Sequence, residues 1–283
     1  MSRPRLFTFT LMLLPLLSAN AKLNQHNYYP QKLIKVTEQE TINKGELKEH
    51  LYNVLSKVHM KTSGEDKIVE QCPLEESCYS QLKTLSYREA RQILFGQLHL
   101  EQTNQGPIVR DVYCNNDYNS SHGVGKNQIP NHKFINCEHT WPQSKFNSRM
   151  DKNLQKTDLH HLYPVMSRAN STRSNKIFGE ISNGTVVNSQ CKDSRKGTID
   201  GTRISGYEPP IEHRGNVARA LFYFSVRYKT TITDVEEEFL RKWHKEDPVD
   251  EAERIRNQRI YEIQRNRNPF IDDPQLVNQI KDF

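Results

Sequence analysis

Two stretches of the chain hold side chains whose types and order suit chemistry. The first runs Cys137-Glu138-His139-Thr140-Trp141-Pro142-Gln143-Ser144-Lys145-Phe146. Neighbouring side chains on a strand point to opposite faces. At a strand end, one of Glu138 and His139 can therefore hold a metal while the other faces a reacting water. Alone the pair carries little weight, because a surface glutamate beside a satisfied core histidine is the commoner arrangement. The second stretch is Asp158-Leu159-His160-His161-Leu162-Tyr163-Pro164, followed by Ser167-Arg168-Ala169-Asn170-Ser171-Thr172-Arg173-Ser174-Asn175-Lys176. A strand leading into a helix whose first turns hold Asn170, Arg173 and Asn175 offers an amide oxygen, a guanidinium and helix amides. Hard cations such as Mg²⁺ take oxygen ligands and keep several waters, so one carboxylate and one amide make a plausible site. A guanidinium suits a bidentate grip on phosphate.

These residues need elements to position them. Residues 134–137 read as a strand that delivers Glu138 and His139 at its end, and 158–165 as a second strand. Residues 167–178 read as a helix. Upstream, Leu47, Leu51, Val54, Leu55 and Val58 fall on one helical face over 46–60. Ser86 and Glu89 form a capping box before the stripe Ala90, Ile93, Leu94 and Leu98. Residues 109–114 read as a short strand and 115–133, rich in Asn, Ser and Gly, as a loop. Helices are expected over 215–228 and from about 250 to 265. No repeat or composition shift divides the chain, so a single α+β domain is expected over 46–283, with 22–45 a loose leader.

The start of the chain reads differently. Arg3 and Arg5 precede a short apolar run from Leu6 to Leu17, and Ser18-Ala19-Asn20-Ala21 supplies small residues for cleavage. This is the pattern of a signal peptide, residues 1–21, cut after Ala21. Its loss takes the formal charge from +6 to +4 by removing two arginines and no acid. No other long apolar run exists, and the mean hydropathy of −0.83 excludes an integral membrane protein. The expectation is a periplasmic or secreted monomer that leaves the membrane on cleavage. The sequence pI near 8.9 suits an anionic partner. In an oxidising compartment, Cys72, Cys78, Cys114, Cys137 and Cys191 are expected to form two disulfides, with one cysteine left over, rather than to hold a metal. A bridge at Cys137 would fix the strand carrying Glu138 and His139. Connectivity stays open.

Taken together, these pieces resemble the bacterial endonuclease I family of periplasmic and secreted nucleases, within the His-Me finger (ββα-metal) superfamily. The resemblance rests on Glu-His-x-x-Pro at 138–142, Asp-Leu-His-x-Leu-x-Pro at 158–164 and Asn-x-x-Arg-Ser-Asn at 170–175. It continues in Glu208-Pro209-Pro210, in Arg214-Gly215-Asn216-Val217-Ala218-Arg219-Ala220 and in Arg227-Tyr228. Arg256-Asn257 and Asn266-Arg267-Asn268-Pro269-Phe270 close it. It spans roughly residues 85 to 280.

The resemblance implies a mostly helical α+β domain around a ββα-metal core. It implies His139 as general base, with Glu138 and Asn170 holding one divalent metal, Mg²⁺ being the expected ion. Arg173 and Asn175 match helix positions beside the metal, Arg173 as a catalytic group. His160 would be structural or behind the site, and Arg149 is the candidate for the arginine near the scissile phosphate. The reaction implied is hydrolysis of DNA, and of RNA as a possible second substrate, leaving 5′-phosphate ends. A neutral histidine takes a proton from water at neutral pH, and the metal neutralises developing charge. Lys145, Arg168, Lys176 and Arg267 are candidates to track the phosphate backbone, with little sequence readout. Competing readings place the base at His161, on a loose likeness to an HNH nuclease strand, or make the protein a non-catalytic binder of anionic polymers. A zinc metalloprotease is weaker, since no His-Glu-x-x-His is present.

Overall fold

The protein is described by a computed structural model covering residues 22–37, 44–73, 78–80 and 85–283. The expected signal peptide lies outside the described residues. Among those residues, no helix is long and apolar enough to cross a membrane.

Residues 22–37 of the segment expected to be a loose leader form a stretch that is instead packed. It forms helix α1 (Gln31–Thr37) and buries Leu23, Tyr28, Tyr29, Leu33 and Ile34. Tyr29 also donates a hydrogen bond to Asp272 at 2.6 Å. The aromatic pair at 28–29 explains the difference: two tyrosines bury far more apolar surface than a leader needs. Helix α2 (Lys44–Ser56) buries the expected stripe Leu47, Leu51, Val54 and Leu55. It stops before β-branched Val58, where strand β1 (Val58–Met60) begins and pairs with β2 (Lys67–Val69) and β3 (Cys78–Tyr79). The capping box at Ser86 and Glu89 starts α3 (Tyr87–Ile93).

A three-stranded sheet of β4 (Glu101–Thr103), β5 (Gly106–Arg110) and β6 (Asp117–Tyr118) follows. Beyond it lie β7 (Ile135–His139), α4 (Lys152–Thr157), β8 (Leu162–Met166) and α5 (Ser167–Arg173). Strands β7 and β8 pair antiparallel, with Glu138 opposite Tyr163 and His139 opposite Leu162. The strand expected from 158 begins later, because Asp158 caps a helical turn at Leu159–His161 by accepting the His160 N–H. The helix expected through 178 ends at Arg173. Ser174 takes φ +55°, a conformation rare for a side chain of that kind. Beyond it, β9 (Ile177–Phe178) joins β10 (Thr185–Asn188), β11 (Cys191–Thr198) and β12 (Ser205–Glu208) in a sheet ordered β10-β11-β12-β9.

The centre of the molecule is α6 (Arg214–Tyr228), buried on nearly every face. It packs against α2 and α7 (Asp234–Glu246). Gly215 in its first turn has no alternative, since a Cβ there would lie 2.0 Å from the Asp247 carbonyl oxygen. Helix α8 (Glu251–Gln264) is tied to α6 by a buried two-pronged pair, Arg219 Nε to Glu253 Oε1 at 2.8 Å and Nη2 to Oε2 at 2.5 Å. Helices α9 (Pro269–Asp272) and α10 (Leu276–Gln279) complete an α+β architecture.

Disulfides join Cys72 to Cys78 and Cys114 to Cys191. Cys137 is a free, buried thiol. The expected bridge at that strand is therefore absent. The residue packs in an apolar cluster with Leu94, Leu159 and Leu162, and burial pushes its thiol up to about 12.

Candidate active site

Backbone pairing of β7 with β8 sets Glu138 and His139 at the end of one ladder, and α5 returns across it. The three elements enclose an open cleft of about 420 Å³ whose lining includes Glu138, His139, Gln143, Asn170 and Asn175. Side chains recognised separately in the sequence thus meet in one place.

Glu138 is 2% exposed. Its Oε1 accepts hydrogen bonds from Tyr113 Oη at 3.0 Å and Arg173 Nη1 at 2.9 Å. Burial pushes its carboxyl up, and Arg173 opposes that by favouring the charged form. Its Oε2 is the oxygen that could face a cation. Asn170 donates its Nδ2 to the Cys137 carbonyl at 3.2 Å, so its Oδ1 is the atom that could do the same. One carboxylate and one amide oxygen are a poor set for a soft metal. They fit a hard divalent ion that keeps most of its waters. Among the described residues, no cluster of three or more His, Cys, Asp or Glu side chains forms a metal cage.

His139 is held by two contacts. Its Nε2 lies 3.0 Å from the Lys156 carbonyl oxygen. A carbonyl only accepts, so Nε2 carries the proton and Nδ1 is the basic nitrogen. Gln143 Nε2 approaches that Nδ1 at 3.3 Å. Burial, followed by the neighbouring His161, depresses the imidazole to about 3. The ring is therefore neutral at pH 7, as a proton acceptor must be. Tyr87 closes the cleft on the other side, its ring 5.8 Å from that of His139.

Arg173 is placed differently from a phosphate grip. It is buried at 1% exposure. Nη1 reaches Glu138 Oε1 and the His139 carbonyl at 2.9 Å each, and Nη2 reaches the Thr140 carbonyl at 2.5 Å. Its guanidinium lies over the Phe178 ring at 4.4 Å. It fixes the end of β7 and borders the cleft with only 1% of its surface exposed.

Arg267 also departs from its expected role as a backbone contact. It is buried and gripped by Asp272 at 2.7 and 2.8 Å, so no nucleic acid can reach it. Arg149 sits on the exposed connection between β7 and β8, outside the cleft lining. Lys145 and Arg168 are exposed, and Lys176 is half-buried with its ammonium on the Thr172 carbonyl. Asn175 follows the turn at Ser174 and lines the cleft.

His160 lies behind the site against Tyr223, its Nε2 3.2 Å from the Asn266 carbonyl. His161 is fully buried and bonds the Gln155 carbonyl at 2.8 Å. With no exposure to water, it is a poor choice of base. Beneath both sits Asp158, which accepts from Tyr223, Tyr228 and Gln264 at 2.7–2.8 Å. Burial pushes that carboxyl up, but Arg227 and the two histidines outweigh it and hold it at about 2.

Sequence reasoning missed Tyr113, Tyr87 and the role of Gln143. Gln143 lies inside the first segment, four residues after His139, and a search for a partner to the imidazole would find it. Tyr113 carries no such signal, being 25 residues from Glu138 with a disulfide of its neighbour deciding its place.

Comparison with known proteins identifies the family. The family model for endonuclease I matches residues 56–275. An extracellular ribonuclease of Bacillus subtilis is 36% identical over 163 residues, 51% of this chain and 53% of that protein. An Endonuclease-1 of Buchnera aphidicola is 32% identical over 115 residues, 41% of this chain and 44% of its own length. An extracellular deoxyribonuclease of Aeromonas hydrophila is 28% identical over 153 residues, 49% of this chain and 66% of that protein. The chain spans about half the length of the first of these relatives. The family match, by contrast, runs through most of the chain and takes in β7, β8, α5 and every residue of the cleft. This chain belongs to the endonuclease I family.

Proposed function

We propose that the chain is an exported, metal-dependent endonuclease that hydrolyses phosphodiester bonds of DNA or RNA with little regard to base sequence, in the manner of a His-Me finger nuclease. One observation carries the reading. A buried, neutral imidazole with its tautomer fixed by the Lys156 carbonyl stands beside a carboxylate and an amide that share its cleft. That is a base next to a hard-cation donor set, and a structural histidine needs neither.

His139 Nδ1 takes the proton from the attacking water once that water displaces the Gln143 amide from the nitrogen's single lone pair. Lys156 holds the opposite nitrogen, so the tautomer is set before substrate arrives. Glu138 and Asn170 would hold Mg²⁺, which supplies charge neutralisation at the scissile phosphate and the leaving 3′ oxygen. Arg173 keeps Glu138 ionised and aimed. Arg149, exposed on the connecting loop, is the arginine assigned to the non-bridging oxygens. In-line attack with departure of the 3′ oxygen leaves 5′-phosphate ends. Relatives named as extracellular and periplasmic nucleases support export.

Digestion of supercoiled plasmid with Mg²⁺, with and without a chelator, tests the reading. Nicking and linearisation should require the metal, and the products should accept no new 5′-phosphate from a kinase until dephosphorylated. Tight binding without cleavage under any divalent ion would favour a non-catalytic binder of anionic polymers instead.

A further inference from the structure

Phe134 stands in an unusual setting for a large apolar side chain. It immediately precedes β7, is 45% exposed, and is the aromatic among the most exposed large apolar residues described. Its backbone is nevertheless well held. The Phe134 N–H donates to the Asn131 carbonyl at 3.0 Å, and its own carbonyl accepts the Ser167 N–H at 2.9 Å. Its ring meets that of His122 at 4.9 Å and 80°. His122 in turn meets Tyr118 at 5.2 Å and 83°. The His122 ring is placed by Asn119, whose Oδ1 and backbone nitrogen lie 3.1 and 3.3 Å from Nδ1.

This aromatic corner borders a cavity of about 460 Å³ whose lining includes Lys133, Arg168, Asn116 and Gln190 but no carboxylate. The volume is that of an ordinary ligand pocket, roughly 300–1,000 Å³. Its position relates it to the cleft. Phe134 closes the turn that leads into β7, four residues before Glu138. Four residues of strand cover roughly 13 Å, the length of about four stacked nucleotides. Arg168 sits two residues before Asn170 on α5.

A rigid aromatic ring with cations beside it and no acid suits a base carried between phosphates. Every base has a π-face, so such stacking tolerates any sequence. In a duplex those faces are covered by neighbouring pairs. We propose that the pocket formed by Phe134, His122, Lys133 and Arg168 is a subsite for an unpaired nucleobase of the substrate strand, with Lys133 and Arg168 on its flanking phosphates. The proposal rests on the nuclease reading above and deepens it: single-stranded segments are the preferred substrate class.

Fluorescence anisotropy of the full chain in EDTA, where cleavage is stopped, gives the test. The probes are labelled dT12, rU12 and a 12-base-pair duplex of mixed sequence, with plasmid digestion in Mg²⁺ run alongside. Phe134→Ala should weaken binding of dT12, rU12 or both by at least about fivefold more than binding of the duplex, the low end for one lost base stack. Phe134→Trp should restore single-strand affinity, and both variants should keep the wild-type melting temperature, because the ring is half in solvent. An equal loss on all three probes, or no loss on either single strand, overturns the subsite while active plasmid digestion leaves the nuclease reading standing. A wild-type protein that neither binds nor cuts any of the substrates overturns the reading beneath it.

Discussion

At the scale of single residues, the site depends on which nitrogen and which oxygen are left free. His139→Ala removes the only imidazole that lines the cleft. Mg²⁺-dependent cleavage should fall at least about a hundredfold, the usual size of a lost general base, while DNA binding persists. Near-normal cleavage by this variant would move the base elsewhere. Arg173→Met leaves Glu138 buried without its partner. Such losses cost about 3–5 kcal/mol, and urea unfolding should report a drop of that order. Arg173→Lys should not rescue it, because one ammonium cannot reach Glu138 and two carbonyls in the geometry of a planar fork. For the metal, calorimetry should find weaker Mg²⁺ binding in Glu138→Gln and in Asn170→Ala, and unchanged affinity in both would remove them as ligands. Much of this was legible in the sequence because Glu138, His139 and Asn170 lie in short motifs. Arg173 was found but its partner was not, since a motif reports residue type and not the direction in which a guanidinium points.

At the scale of elements, β7 is fixed without a covalent link of its own. The nearest bridge, Cys114–Cys191, instead anchors the segment carrying Tyr113, whose carbonyl also accepts Ser194 Oγ at 2.6 Å. Tyr113 then reaches Glu138. Converting both cysteines to alanine should lower stability by about 2–4 kcal/mol, and metal affinity should fall with it as Tyr113 loosens. A thiol reagent should leave Cys137 untouched in the native protein and modify it only on unfolding, read by mass spectrometry. Modification under native conditions would contradict its burial. The strands β7 and β8 and the helix at α6 were visible as apolar runs with the right period. The region from 185 to 208 was not, because β11 reads Cys-Lys-Asp-Ser-Arg-Lys-Gly-Thr and buries just Cys191 and Ser194 of its side chains. A strand that is mostly solvated leaves no hydrophobic alternation to detect.

At the scale of the whole molecule, buried histidines set the response to acid. His139 and His213 are depressed to about 3, and His160, His161 and His244 to about 4, each chiefly by burial. His99 is also driven well down. In the unfolded chain they take protons near pH 6.5. Below that pH the unfolded state binds protons that the folded state refuses, so stability falls as pH drops from about 6.5 toward 4. Each fully unmatched proton contributes a slope of about 1.4 kcal/mol per pH unit. The urea midpoint should therefore decline steadily between pH 7 and pH 5, before carboxylates such as Asp158 titrate. A flat midpoint over that range would show that these histidines are hydrated.

Phe283 adds a constraint at a distance. Its ring is fully buried, stacked on Phe222 at 4.3 Å and set against Phe270 at 5.4 Å. Its backbone N–H bonds Glu237, and its carbonyl accepts from Ile232. Phe222 belongs to α6, the same helix whose Phe224 stacks on Trp141 just beyond His139. The Phe283 ring is therefore a wedge between α6 and α9. Phe283→Ala should leave a void beside the central helix and cost about 3–5 kcal/mol in urea unfolding. Because α6 also carries Phe224, that slack would be passed on to Trp141, two residues past His139.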